Sequence, residues 1–240
     1  MVPALVVKNN YKYEKMTEQT SNPRLRYDEG CLAAHALNLV GDRWALLVVR
    51  ELMFAPKRFQ MIRAGLPGVS ASVLTGRLGQ LAQAGVIDHD ERFGIYALTD
   101  AGRGLLPVLE ALCRWALLVP GHDPTRFISP SALMISMGVN LIPEMARGCM
   151  ARAGFDFGVE AFEMRLAGGR VQTTQVARPD APFVLSGDGN QLAAAVYGAP
   201  PLPALVSAGV VGVAGDMAAA EAFLACFRLE RREQASSCRA

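Results

Sequence analysis

One stretch of the N-terminal half carries its structural signals in a fixed order, and this order constrains the fold more than any other feature of the sequence. Residues 58–106 read RFQMIRAGLPGVSASVLTGRLGQLAQAGVIDHDERFGIYALTDAGRGLL. A short helix at residues 58–64 is predicted to end at a turn over residues 65–68. Ser70 is a favoured N-cap, and apolar residues at helical spacing follow it, which predicts a second helix with one buried face. These apolar residues are Leu74, Leu78 and Leu81.

Beyond this helix the pattern changes to that of a hairpin. Gly85 ends the helix, and two short strands are predicted at residues 86–88 and 95–98, around a turn at residues 91–94. Thr99 is then predicted to cap a last helix that runs through Trp115. The hairpin would therefore lie between two helices.

Two further helices are predicted upstream, in the apolar segment ALNLVGDRWALLVVREL at residues 36–52. Gly41 suits a left-handed helix end, and Asp42 can cap the free N–H groups of the next helix. Helix, helix, turn, helix, hairpin and closing helix is the order of a winged helix-turn-helix. The second helix of that motif fits a DNA major groove.

Four motifs in this order resemble the HxlR family of bacterial transcription regulators. They are C-x-x-x-x-A-L-x-L-V-G-D-R-W-A-L-L-V-V-R-E-L, R-F, L-T-G-R-L-x-x-L and Y-A-L-T-D-A-G-R, and they cover residues 31–115. The resemblance implies a homodimer in which the terminal helices form the dimer contact. It also implies that two recognition helices face successive major grooves of double-stranded operator DNA.

The predicted DNA contacts divide into phosphate contacts and base contacts. Lys57, Arg58 and Arg63 surround the first helix of the motif, where cations bind phosphates without reading sequence. The outward side chains Ser72, Thr75 and Gln80 can hydrogen-bond base edges, and Ser70 can contact backbone or base. Arg77 lies nearer the buried stripe and is assigned a backbone phosphate. Arg92, at the wing tip, is predicted to enter a minor groove.

Two features depart from the family pattern. Gly76 and Gly79 stand where basic or polar residues are common, so either the backbone approaches DNA closely or binding is weak. The wing is acidic, with Asp88, Asp90 and Glu91 against one arginine. These features keep a different class of function open, in which the chain is a lipid-binding or carrier protein and its winged helix contacts protein instead of DNA.

Cys31 provides another hypothesis for sensing. Many members of the family carry a cysteine just before the first helix, and some use it to sense oxidants or electrophiles. Reactivity requires a stabilised thiolate, which Arg24 and Arg26 would favour and Asp28 and Glu29 would oppose. The alternative is that Cys31 is a small apolar residue packed at a helix start.

Composition is compatible with this class of protein and sets limits on others. The first 120 residues hold 14 Lys plus Arg against 11 Asp plus Glu, and the remainder holds 10 against 11, so the halves carry +3 and −1. This asymmetry permits nucleic-acid binding but does not indicate it. Five scattered cysteines without metal-ligand spacing favour a reducing cytoplasm. We expect no catalytic site, metal or cofactor, and no membrane span.

The C-terminal half begins after a linker rich in proline, at residues 120–130. A helix rich in methionine is predicted at residues 131–153, with a break or kink at Gly138 and Pro143. A hairpin follows, in which Phe162, Met164 and Leu166 alternate with charged residues before the Gly168 and Gly169 turn. Further strands are predicted at residues 182–186 and 210–214, a helix at residues 191–197, and a last helix at residues 217–227 capped by Asp216. The predicted class is α+β, with a small antiparallel sheet covered by helices on one face.

The ending LPALVSAGVVGVAGDMAAAEAFLACF resembles the close of the sterol carrier protein fold, and the likeness covers about residues 155–227. The resemblance implies an apolar tunnel that accepts lipids or other extended hydrophobic molecules. Met and Phe stripes can equally be ordinary core. The candidate ligand-binding residues are Met134, Met137, Phe162, Met164, Phe183, Tyr197 and Phe223.

These features together predict a cytoplasmic one-component transcription regulator. A winged-helix dimer at residues 31–119 would bind an operator, and a sterol-carrier-like domain at residues 131–229 would bind a hydrophobic effector. Residues 1–30 are assigned to an N-terminal arm and residues 230–240 to a tail. Sensing through Cys31 and the lipid-carrier class remain the alternatives.

Overall fold

The computed structural model describes residues 26–229, and its secondary structure falls into two parts. The predicted arm and tail lie largely outside these residues. The elements of the N-terminal part are α1 (Leu32–Val40), α2 (Ala45–Leu52), β1 (Lys57–Arg58), α3 (Phe59–Ala64), α4 (Ala71–Gln83), β2 (Ile87–Asp90), β3 (Ile95–Leu98), α5 (Asp100–Arg103) and α6 (Leu106–Ala116). Those of the C-terminal part are α7 (Pro130–Val139), α8 (Pro143–Ala146), β4 (Ala151–Asp156), β5 (Ala161–Ala167), β6 (Arg170–Val176), β7 (Phe183–Ser186), α9 (Gly189–Tyr197), α10 (Leu202–Ser207), β8 (Gly212–Gly215) and α11 (Met217–Leu224).

The N-terminal part is a winged helix-turn-helix. Helices α3 and α4 form the motif, and the sheet has the order β1-β3-β2 with antiparallel pairs. The predicted caps are confirmed at Ser70, whose side chain accepts from the N–H of Val73, and at Thr99, which accepts from Gly102. One buried face of α4, made of Leu74, Leu78 and Leu81, is also as predicted.

Two local predictions in this part are wrong. Gly41 has φ −73°, so it is not in the left-handed region, and Trp44 rather than Asp42 is the N-cap of α2. Glycine is required at position 41 for space, because an added Cβ would lie 2.4 Å from the carbonyl oxygen of Leu37. The single closing helix is two helices, α5 and α6, since the chain breaks at Gly104 and Leu105 before Pro107.

The C-terminal part contains a five-stranded sheet of order β6-β5-β4-β7-β8. The hairpin of β5 and β6 is confirmed, as is the cap at Asp216, which accepts from the N–H of Ala219. The break predicted in the helix at residues 131–153 is confirmed, because α7 ends at Val139 and Pro143 starts the separate α8, but the predicted end is wrong, since residues 151–153 belong to β4. The sheet is also not purely antiparallel, since β4 pairs with β7 in parallel.

Helices cover one face of this sheet, as predicted. Phe155 of β4 is opposite Phe162 of β5 and Leu185 of β7, so these three buried residues share a face. Helices α7 and α11 pack against the sheet, and Phe223 of α11 contacts Phe155 and Phe183. Together they enclose an apolar core.

Helix α7 joins the two parts. Its residues Leu133, Met134 and Met137 belong to the core beneath the sheet, whereas Ile135 belongs to the core of the winged helix-turn-helix. It packs against both α2 and α6. Along residues 26–229, no single helix is long and apolar enough to cross a membrane. Helices α1 and α2 together reach the required length and hydropathy, but they are bent by 75° at their junction.

Candidate nucleic-acid interface

Helix α4 presents a polar face to solvent opposite its buried leucines. Ser72, Thr75 and Gln80 are all exposed, so the structure brings the predicted base-reading side chains to one surface. Ser70, exposed at the start of the helix, lies 3.1 Å from Ser72 through the two hydroxyl oxygens. Short hydroxyl and amide side chains of this kind can donate to and accept from base edges.

Gly76 and Gly79 make the centre of this face flat. Both are exposed, and apart from the neighbouring residues of the helix itself, no atom of the described chain lies within 4 Å of a Cβ built at either position. The backbone of α4 is therefore open to close approach by another molecule along two consecutive turns.

Arg77 does not have the free guanidinium that its predicted phosphate contact requires. Its side chain is 15% exposed and forms an ion pair with Asp42, just before α2. The same nitrogen also donates to Gln80. This ion pair links α4 to the turn between α1 and α2. Asp42, which is predicted to cap α2, is instead the partner of Arg77.

Three of the four remaining predicted cations are exposed to solvent, as a phosphate or groove contact requires. Arg58, at the start of α3, Arg63, in its last turn, and Arg92, in the wing, are all exposed. Arg92 lies over the ring of Phe93, 5.6 Å from its centroid. Phe93 is itself exposed, and the sequence patterns did not single it out.

Lys57 is the exception, and its predicted phosphate contact is wrong. The side chain is fully buried, with its Nζ 2.6 Å from Glu160 Oε1 and 3.5 Å from Glu51 Oε2. Its ammonium faces the C-terminal part of the molecule instead of solvent. The sequence patterns missed Glu51 and Glu160, because nothing local indicates that these distant residues meet.

One carboxylate of the acidic wing is hydrogen-bonded within its own turn. Asp90 accepts hydrogen bonds from the backbone N–H groups of Arg92 and Phe93. His89 stacks on Tyr96 at a centroid distance of 4.2 Å. Asp88 and Glu91 remain exposed and would face any polyanion at the wing.

Cys31 stands at the N-cap position of α1 and is exposed. The backbone N–H groups of Ala34 and Ala33 at the start of α1 lower the pKa of its thiol, because they favour the thiolate. Cys113 differs, since burial raises its pKa.

Each of the two terminal helices of the N-terminal part exposes large apolar side chains. On α1, Leu32 is 85% exposed and Leu37 51%; on α6, Trp115 is 60% exposed and Leu112 43%. These are the helices that the family resemblance assigns to the dimer contact.

The residues assigned to ligand binding all lie in the core of the C-terminal part. The side chains of Met134, Met137, Phe162, Met164, Phe183 and Phe223 are buried there, and Tyr197 packs against them. The Tyr197 hydroxyl is 3.0 Å from Ser136 Oγ, and burial raises the Tyr197 pKa to about 12. The ring of Phe162 also meets Phe54 of the N-terminal part, at 5.6 Å between centroids.

Comparison with known proteins gives matches to the winged helix-turn-helix. The family described as "HxlR-like helix-turn-helix" matches residues 39–121. The uncharacterized HTH-type transcriptional regulator sll1512 of Synechocystis sp. (strain ATCC 27184 / PCC 6803 / Kazusa) is 34% identical over 107 residues, which are 42% of this chain and 79% of that protein. The uncharacterized HTH-type transcriptional regulator YvaP of Bacillus subtilis (strain 168) is 36% identical over 104 residues, 41% of this chain and 88% of that protein. The crystal structure of the quinone-bound YodB from B. subtilis is 34% identical and covers 35% of this chain and 93% of that chain, with a TM-score of 0.33.

Proposed function

The chain belongs to the HxlR-like helix-turn-helix family of transcriptional regulators, and we propose that it binds operator DNA as a homodimer and responds to a hydrophobic small molecule held in its C-terminal part. The observation that carries the DNA-binding proposal is the exposed polar face of α4. It has no side chains at Gly76 and Gly79, and α3 and the wing of the same winged helix carry the exposed Arg58, Arg63 and Arg92. Such a regulator would act in the cytoplasm.

The side chains around α4 have separate tasks in this proposal. Arg58 and Arg63 bind phosphates and fix the position of the protein on the duplex. Ser72, Thr75 and Gln80 then read base edges in the major groove. Arg92 enters the adjacent minor groove, where its charge offsets the repulsion between Asp88, Glu91 and the phosphates.

The proposed dimer uses the apolar surface of α1 and α6. Leu32 and Trp115 are large apolar side chains left in water in one chain, and a second copy would bury them. An isologous contact of this kind would place two α4 helices about one helical turn of DNA apart.

The effector proposal rests on the architecture and residue content of the C-terminal part. A five-stranded sheet with helices on one face encloses methionine and phenylalanine side chains, and under the sterol-carrier resemblance this interior would hold an apolar ligand. Methionine adapts its shape to different apolar ligands. For regulation, the effector must bind the DNA-competent and the incompetent arrangements with different affinity, because equal affinity shifts no equilibrium.

The test is binding of the full chain to DNA from its own upstream region and to random DNA, at several salt concentrations. The three arginines proposed to meet DNA in each protomer are Arg58, Arg63 and Arg92, which gives six in a dimer. We therefore expect a plot of log K against log salt concentration to have a slope of about −5. Affinity would drop about a thousandfold between about 50 and 200 mM salt, with two protomers bound at each site. If the protein binds its upstream DNA no more tightly than random DNA but still retains a fluorescent fatty acid, the lipid-carrier class is favoured instead.

A second candidate places sensing at Cys31. The observation that favours it is the exposed thiol at the start of α1, with its pKa lowered by backbone N–H groups. A lower pKa means that the thiolate forms at lower pH, so alkylation of Cys31 by iodoacetamide should reach its plateau rate at a lower pH than alkylation of a free cysteine. Mass spectrometry would measure this rate, with Cys113 as the slow internal control. Operator release by a quinone in the wild type but not in Cys31→Ser would establish the sensor, and equal release in both would exclude it.

A further inference from the structure

Lys57 and Glu160 form a buried ion pair between the two parts of the molecule. We infer that this pair is an anchor through which the C-terminal part positions the wing and the recognition helix for DNA. The inference rests on the proposed operator binding and assigns its regulation to named residues. In it, Lys57 and Glu160 are positioning residues and touch no DNA.

The geometry of the pair is that of a fully desolvated contact. Lys57 Nζ lies 2.6 Å from Glu160 Oε1, and the two side chains are 0% and 7% exposed. The ammonium has two further partners, Ser131 Oγ at 3.1 Å and Glu51 Oε2 at 3.5 Å. Ser131 belongs to α7, so the lysine is surrounded by groups from both parts.

Charge balance makes each member of this cluster necessary. Arg50 also contacts Glu51, with Nη2 2.8 Å from Oε1, so the cluster holds two cations and two carboxylates. A buried charge is tolerated only when it is paired. Without Glu160, two cations would share the single carboxylate of Glu51, and the ammonium of Lys57 would be drawn away from the C-terminal part.

On the DNA side, the cluster connects to both elements that would meet the duplex. Lys57 lies in β1, where it is opposite Tyr96 of the wing strand β3. Arg50 Nη2 donates to the carbonyl of Gly65 at 3.0 Å, in the turn that leads into α4. Glu51 packs so closely on Gly65 that an added Cβ would lie 2.2 Å from its carboxylate oxygen. A shift of Glu51 or Lys57 therefore reaches the wing and the start of the recognition helix together.

On the other side, the cluster adjoins the apolar core of the C-terminal part. Glu160 lies just before β5, two residues from Phe162, whose ring contacts Phe157 at 5.8 Å and Phe54 at 5.6 Å. Ser129, the N-cap of α7, donates to Glu51 Oε1 at 2.6 Å. A ligand that moves Phe162 or α7 would thus change the position of Glu160, Ser129 or both.

The decisive variant is Glu160→Gln, which keeps the shape of the side chain and removes its charge. Its matched control is Glu144→Gln, an exposed carboxylate of α8 in the same part. Two readouts are measured on the full chain under conditions where every variant is folded. They are backbone hydrogen exchange without DNA, and affinity for upstream DNA across a salt series.

We expect Glu160→Gln to accelerate exchange at residues 57–58 and 65–70 and to weaken operator binding by about 5- to 50-fold, within the usual range for coupled sites. The salt slope should stay the same, because no phosphate contact is lost. Arg58→Gln, by contrast, should reduce the magnitude of the slope by about 2 for a dimer. Glu144→Gln should match the wild type in both readouts.

Unchanged exchange at residues 57–58 and 65–70 in Glu160→Gln would overturn the anchor, as would unchanged or tighter DNA binding with the normal slope. If the wild type itself binds no operator, the proposed function fails, and the exchange readout still decides whether the anchor holds those segments. Should Glu160→Gln not fold, Ser129→Ala removes one neutral donor from the same cluster. It should accelerate exchange at residues 65–70, and no change there would also overturn the proposal.

Discussion

Gly76 and Gly79 are unusual residues for the centre of a recognition helix. A glycine inside a helix weakens it by about 1 kcal/mol relative to alanine, so the pair weakens α4 by about 2 kcal/mol. Apart from the neighbouring residues of the helix itself, no atom of the described chain lies within 4 Å of a Cβ at either position, so packing inside the protein does not require glycine. Close approach of another molecule to the backbone is the remaining physical reason for glycine at these sites.

This reasoning predicts opposite effects of Gly79→Ala on stability and on DNA binding. The free energy of unfolding in urea should rise by about 1 kcal/mol, because alanine favours the helix and meets no neighbour. Operator affinity should fall about tenfold or more, because the new methyl group holds α4 away from the base edges and weakens contacts worth about 1–3 kcal/mol each.

The control for this change is Gln83→Ala in the last turn of the same helix, where the side chain is exposed. It should leave operator affinity within about twofold of the wild type. A Gly79→Ala protein that is more stable and binds its operator as tightly as the wild type would show that DNA does not approach the helix at this point.

Sequence patterns located several local residue roles, although not those of Gly41 and Asp42, and missed the roles that depend on distant contacts. The caps at Ser70, Thr99 and Asp216 are set by neighbours three residues away, so their positions could be predicted. Lys57 has the charge and the sequence position expected of a phosphate-binding residue, but its partner Glu160 comes from the other part of the molecule. Burial by a remote segment leaves no periodic signal.

At the scale of elements, the two-residue strand β1 depends on a buried charge cluster for its position. Replacing one member of a buried pair typically costs about 3–5 kcal/mol, whereas replacing both by apolar residues is often neutral. The stability of the N-terminal sheet should therefore respond to single and paired substitutions in very different ways.

We predict that Lys57→Met lowers the free energy of unfolding by about 3–5 kcal/mol, because Glu160 is left buried without its cation. The combined variant Lys57→Met with Glu160→Leu should recover most of this loss, since an apolar pair of similar volume replaces the ion pair. Urea denaturation of the two single variants and the combined variant gives the coupling free energy. Strictly additive losses would mean that the two side chains do not interact in solution.

The difference between local signals and distant contacts also explains which elements could be predicted from the sequence. Strand β5 alternates large apolar and charged residues, so its hairpin and buried face were evident. Strand β4 begins Ala-Arg-Ala-Gly, which lacks the β-branched residues typical of strands, and its first three residues fall within the helix predicted at residues 131–153. It forms a strand because β5 and β7 pair with it on both sides, and this tertiary pairing outweighs its weak local preference.

At the scale of the whole molecule, the two parts share a helix and a charge cluster, so neither can rearrange alone. Ile135 of α7 packs in the N-terminal core while Met134 and Met137, its neighbours on the same helix, pack beneath the sheet. A rotation or translation of α7 must repack both cores. Such a shared helix is a physical basis for coupling between a ligand in one core and the DNA-reading surface on the other.

This coupling can be tested by its reciprocity, whichever direction the regulation takes. If a hydrophobic ligand changes operator affinity by a given factor, the operator must change ligand affinity by the same factor. We predict that a fluorescent fatty acid and the upstream DNA will alter each other's dissociation constants by equal ratios of about 5 or more, measured by fluorescence titration and by DNA binding. Glu160→Gln should bring both ratios close to one while leaving fatty acid affinity in the absence of DNA near the wild-type value. If the wild type binds both the fatty acid and the DNA but neither changes the dissociation constant of the other, the apolar core and the recognition helix act independently.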